Sequence, residues 1–125
     1  MLGYGTVYCG STAIVLARIL DENTAKPLKS SDVQEIKFSV SKYVNWQSSP
    51  INGFESVSLD PGDVFYDDLQ LNEFWSSDRI GYNFKHVIDI SGGSPFEVTG
   101  QYMLEYRIKP LNGQPVVMKV LLQCV

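Results

Sequence analysis

Histidine occurs once in this chain of 125 residues, at position 86, and cysteine only twice, at positions 9 and 124. One imidazole and two distant thiols are an unusual ligand set for a structural or catalytic zinc ion. There is no Gly-x-Ser-x-Gly, no phosphate-cradling loop and no His-Glu-x-x-His, so the common signatures of nucleophilic, phosphoryl-transfer and metalloprotease chemistry are missing. Basic residues are few: 10 Lys and Arg stand against 14 Asp and Glu, a net charge of −4. That balance lacks the basic stripe a nucleic acid would require. No apolar run approaches the roughly 20 residues that span a bilayer. The N-terminus also lacks the basic start and long apolar segment of a secretory signal, and too few residues precede Cys9 for a lipoprotein cleavage site. The expectation is a chain with no catalytic role, no metal or other cofactor, and no membrane or nucleic-acid partner.

What the chain does have is strand periodicity. With 44% hydrophobic and 19% charged residues it is ordinary globular material, of a length that suits one domain over residues 1–125. In 100–109 the residues Tyr102, Leu104, Tyr106 and Ile108 share one face, while Glu105, Arg107 and Lys109 share the other. That is the period of two of a half-buried strand. The stretches 81–90 and 116–125 have a similar form, and Pro110-Leu111-Asn112-Gly113-Gln114-Pro115 reads as the turn between the last two strands. Upstream, Ile36, Phe38 and Val40 alternate with polar residues, and Ala13, Val15, Ala17 and Ile19 form one face of a strand over 12–20. A short opening strand over 4–9 and a helical turn near Ser31 complete the reading, while 63–74 mixes both periods. Seven or eight short strands with turns at this spacing predict an all-β fold, a single immunoglobulin-like antiparallel β-sandwich. Tyr102, just after the corner at Gly100, stands where such folds place a tyrosine whose hydroxyl bonds back to upstream backbone; the alternative is a plain core residue. The expected core is Ile36, Phe38, Val40, Tyr82, Phe84, Ile88, Leu104, Tyr106, Ile108, Val116, Met118, Val120 and Leu122. His86 falls on the same inward face as Phe84 and is expected there as a core histidine.

Cys9 and Cys124 sit at opposite ends of the chain. First and last strands of a sandwich often lie side by side, so a bridge is geometrically accessible. Without an export signal the expectation is two buried thiols.

Four motifs resemble those of a group of small uncharacterised proteins from bacteria and their phages. They are Val7-Tyr8-Cys9-Gly10-Ser11 opening a strand that ends in Asp21, and Asp63-Val64-Phe65-Tyr66-Asp67-Asp68-Leu69-Gln70 followed by Trp75. The others are Gly81-Tyr82-Asn83-Phe84-Lys85-His86 and the hairpin Tyr106-Arg107-Ile108-Lys109-Pro110. The resemblance implies an immunoglobulin-like structural protein of a tailed-phage virion (capsid decoration, neck, tail or baseplate). Such a protein would be made in the bacterial host cytoplasm and would contact other virion structural proteins in a symmetric assembly. Ile14 and Leu16 depart from that pattern, standing where polar residues are usual. They leave the outer face of their strand in need of a partner, and Val117 and Leu121 break the polar face of the last strand in the same way and are expected to extend that contact.

From Tyr43 to Asp78 there is no Lys or Arg but seven carboxylates, together with Tyr43, Trp46, Phe54, Phe65, Tyr66, Phe74 and Trp75. Most of these aromatics are expected in the core beneath a polar loop. If Trp46, Phe54 or Trp75 reach the surface, two readings arise: anchors for a protein neighbour, or stacking platforms for a glycan on a displayed adhesive module. Asp60, Asp63, Asp67 and Asp68 could crowd together, but their spacing does not match a calcium loop and a solvated acidic loop is expected.

Overall fold

A computed structural model describes residues 2–125. Nine strands form two sheets: β1 (Leu2–Val7), β2 (Ile14–Ala17), β3 (Val33–Val44), β4 (Gln47–Pro50), β5 (Val57–Leu59), β6 (Phe65–Gln70), β7 (Tyr82–Val87), β8 (Gly100–Pro110) and β9 (Val116–Cys124). The larger sheet runs β1-β9-β8-β3-β4, with β5 also on β3, and the smaller runs β2-β7-β6. All pairings are antiparallel except β1 with β9, which is parallel. The smaller sheet occupies the places of strands B, E and D of an immunoglobulin fold and the larger those of G, F, C and C′. The fold is therefore the expected β-sandwich. It has nine strands rather than seven or eight because Gln47–Pro50 and Val57–Leu59 pair as short edges with little apolar periodicity of their own.

The strand phases hold in β3, β7 and β8. Ile36, Phe38, Val40, Tyr82, Phe84, Ile88, Leu104, Tyr106, Ile108, Met118 and Leu122 are all buried. Val116 and Val120 are only partly covered, and the register explains both. Strand β1 begins opposite Lys119, so nothing on it faces Val116, and the residue opposite Val120 is Gly3. Between the sheets Phe38 stacks on Tyr106 at 5.2 Å, and Phe84 meets Tyr106 and Phe65 edge-on at 5.2 and 5.4 Å. The corner reading of Tyr102 is the right one: its hydroxyl donates to the Val98 carbonyl at 2.7 Å. Asn83, fully buried on β7, was not anticipated as a structural residue. Its carboxamide accepts from Ile19 N and donates to the carbonyls of Ile19 and Leu28, at 2.7, 2.8 and 2.8 Å. It clamps the segment that follows β2 over the outer face of β7.

The expectation of two free thiols is corrected. Cys9 and Cys124 form a disulfide, with their Cα atoms 5.3 Å apart. Parallel pairing sets Val7 opposite Cys124, and Cys9, two residues past the strand, swings back within bonding reach. Pro61–Val64 forms a single helical turn capped by Asp60, which accepts from Gly62 N at 3.0 Å, and within the mixed stretch 63–74 the chain continues as β6. Asp67 accepts from the backbone and hydroxyl of Ser30 at 3.3 and 3.1 Å. Two of the four aspartates thus serve as hydrogen-bond acceptors, Asp60 within its own turn and Asp67 toward a segment 37 residues away.

Candidate interaction surface

The two sheets are closed against each other along most of their length but not at β1 and β2. Among the described residues β1 pairs only with β9, and β2 only with β7, so each leaves one edge unpaired there. On β2 the Ala13 carbonyl accepts from Ile88 N at 3.0 Å. By the alternation of an antiparallel ladder, Val15 and Ala17 also bond toward β7, while Ile14 and Leu16 turn their backbone groups to the open edge. On β1 the Val7 carbonyl accepts from Val125 N at 2.9 Å, so Tyr4 and Thr6 face the other way. Unpaired strand edges of this kind are templates for another chain.

Between the edges lies a cleft of about 850 Å³ floored by Met118, Val120 and Leu122 and walled by Val15, Phe74 and Trp75. Glycines make it open. Positions 3 and 5 of β1 face inward and carry no side chain, and a β-carbon on Gly5 would come within 3.0 Å of the Leu122 side chain. The rim is apolar and exposed: Tyr4 is 74%, Tyr8 77%, Phe74 69% and Ile14 55% exposed. At one end Arg18 and Asp78 form an ion pair at 2.7 Å. The Asp78 carboxylate also accepts from the Trp75 indole at 2.8 Å and from Ile80 N and Gly81 N. The indole bond foremost holds this carboxyl well below its usual range; burial, second in size, opposes it, and the backbone amides and Arg18 add to the lowering. Trp75 is fixed in turn, with its ring 5.7 Å from that of Tyr82. One wall of the cleft is therefore rigid.

The seven residues expected to make contacts do not form one surface. Ile14, Leu16 and Trp75 line this cleft. Met118 and Leu122 point inward from β9, so Val117 and Leu121 lie on the outside of the larger sheet, where Leu121 stands opposite Tyr4, whereas Ile14 and Leu16 lie on the outside of the smaller one. The strands belong to different layers, which separates the two pairs. Both residues of the β9 pair are half-buried. Trp46, 88% exposed, sits at the turn between β3 and β4, edge-on to Tyr43 at 6.4 Å. Asn45 and Trp46 both have left-handed backbone, φ 52° and 64°, as a two-residue hairpin turn of the primed kind demands. Phe54 is half-buried against Phe38 at 6.4 Å and faces a different cleft. Tyr4 and Tyr8 also belong to the surface and were not anticipated there, and Phe74, one of the aromatics of 43–78, joins them. The first two signal only as aromatics at alternate positions of an edge strand.

His86 lies in the core as expected, 7% exposed, with Nδ1 2.7 Å from the Tyr106 hydroxyl. Burial lowers its pKa from 6.5 to about 4 and pushes that of Tyr106 up. The unfolded chain takes up a proton near pH 6.5, whereas the folded chain resists until about pH 4. Stability is therefore full above pH 6.5 and falls as pH drops through that window, by about 1.4 kcal/mol per unit and roughly 3 kcal/mol in all. Urea unfolding between pH 7 and 4 should show this slope, and His86→Gln should flatten it. Asp78 adds a separate loss only below its ordinary value of 3.8, because its carboxyl is held low in the folded state.

No protein-family model matches the chain, and no curated protein matches it.

Proposed function

We propose that the chain is a non-enzymatic structural protein of a phage virion, working by protein–protein contacts through the open side of its sandwich. The observation that carries the reading is the pair of unpaired edges, β1 and β2, on either side of an apolar cleft rimmed by Ile14, Tyr4, Tyr8 and Phe74. A monomer gains nothing by exposing such a surface, whereas a neighbour in a symmetric assembly would bury it. Four sequence motifs supply the setting, since they resemble virion and prophage proteins. The bridge between Cys9 and Cys124 suits a particle that is made in the host cytoplasm and then meets an oxidising exterior. The alternative, an adhesive module that binds glycans, draws on the exposed Trp46 at its hairpin tip.

The test is to replace Ile14 and Leu16 by Thr. Both side chains point away from the core, so circular dichroism and the unfolding midpoint should be nearly unchanged. Each loses part of an aliphatic burial, and together they should weaken association roughly tenfold or more. Sedimenting particles from lysates that express either form, followed by immunodetection, reads this directly. A folded double variant that enters particles as well as the native chain would remove the open side from consideration.

A further inference from the structure

A second cleft, away from the open side, lies beneath the loops 51–54 and 88–93. It measures about 450 Å³ and its lining includes Phe38, Phe54, His86, Asn52, Asp89 and Ser91. Its walls are held in place by backbone. Ile51 N donates to the Val40 carbonyl at 3.0 Å and Val40 N donates to the Phe54 carbonyl at 2.9 Å, which ties one loop to β3. On the other side Gly93 N donates to the Ile90 carbonyl at 2.9 Å and Ser91 N to the Asp89 carboxylate at 2.9 Å.

The floor is His86, more than nine-tenths buried. Its Nδ1 is taken by the Tyr106 hydroxyl. Among the described residues no buried side-chain nitrogen or oxygen lacks a partner, so Nε2, which bonds to none of them, is open to the cleft that the ring lines. If Tyr106 donates to Nδ1, Nε2 carries the proton and donates; in the other tautomer Nε2 accepts. A hydroxyl group satisfies either state, since it both donates and accepts, and a carboxylate or phosphate satisfies only one. No Lys or Arg lines the cleft and Asp89 does, which disfavours an anionic ligand. Phe54 offers an apolar wall, and Asn52 and Ser91 offer further hydrogen-bonding groups.

We propose that this cleft binds a neutral saccharide ring, packed against Phe54 and hydrogen-bonded through its hydroxyls to His86 Nε2, Asn52 and Asp89. An adjoining cleft of about 320 Å³ shares Asn52, Phe54, Gly92 and Gly93 with it and adds Lys42, Ser94 and Glu97. The site therefore extends to a second sugar unit, and disaccharides bind more tightly than single rings. Neither the surface nor the chemistry depends on the open side between β1 and β2.

The experiment follows the His86 ring resonances by NMR while glucose, galactose, N-acetylglucosamine and their disaccharides are added, with glucuronate and tetramethylammonium as charged counterprobes. A saturable shift with a dissociation constant near or below about 1 mM for at least one neutral sugar is expected. Asn52→Ala and Asp89→Ala alter exposed rim residues and should each weaken that binding about fivefold or more. Ile14→Thr with Leu16→Thr should leave it unchanged. Absence of any shift at saturating millimolar sugar would overturn the assignment. So would a shift indifferent to both rim variants, or a response confined to glucuronate or tetramethylammonium.

Discussion

Truncating Tyr106 or Phe84 to Ala is expected to lower the free energy of unfolding by about 3–5 kcal/mol at either position. Both side chains are fully buried, and they meet each other across the gap between the sheets at 5.2 Å. Tyr106 also stacks on Phe38, and Phe84 meets Phe65 edge-on, so either deletion strips contacts from both layers at once. The larger sheet is pinned by long ladders, β3 with β8 and β8 with β9, which limits how far that wall can collapse into the hole. Tyr106→Phe separates packing from hydrogen bonding. It keeps the ring but leaves His86 Nδ1 buried without its partner, a cost of about 1–3 kcal/mol. Urea titrations followed by circular dichroism give all three values. A loss under about 1 kcal/mol for both alanine variants would contradict the burial described, since core truncations of this size cost several times that.

Much of this core was legible because alternation is a local signal. Ile36, Phe38 and Val40, or Tyr102, Leu104, Tyr106 and Ile108, declare one face of a strand whatever the strand pairs with. The capped turn at Asp60-Pro61 also carries a local signature, an aspartate before a proline, but four residues are too few to stand out against a mixed period. Other features depend on which strand lies beside which. Asn83 looks like a surface residue until the segment after β2 is folded over it. Val120 is half-covered because β1 presents Gly3 opposite it. The disulfide is not legible locally, because it depends on β1 pairing with the last strand.

The candidate surface divides in the same way. Ile14 and Leu16 were visible as apolar residues on the wrong side of an alternating strand. The cleft they border was not, because it exists only where β1 joins the larger sheet and leaves β2 without a second neighbour. Sheet membership of that kind is a choice of long-range register, and no window of ten residues encodes it. The same choice places Val117 and Leu121 on the outer face of the larger sheet, beside Tyr4 and apart from Ile14 and Leu16.

Breaking the bridge between Cys9 and Cys124, by Cys9→Ser or by reduction, is expected to cost about 2–5 kcal/mol and to lower the melting temperature by on the order of 10 °C. The two cysteines are separated by 115 residues of sequence, so the link removes a large share of the freedom of the unfolded chain. It also acts locally. Strand β1 is bonded on one side only, and its inward positions 3 and 5 are glycine, which leaves Val7 as its main apolar anchor. Without the bridge β1 should open before the rest of the fold. Amides of Gly5 and Val7 should then exchange with solvent much faster, while those of β3 and β8 change only as far as global stability falls. Because β1 is one wall of the cleft beside β2, reduced protein should also lose affinity for whatever occupies the open side. Thermal melts with and without reductant, read beside free-thiol titration, decide the matter. Two titratable thiols before reduction, or identical melts in both conditions, would show that the first and last strands are held by hydrogen bonds alone.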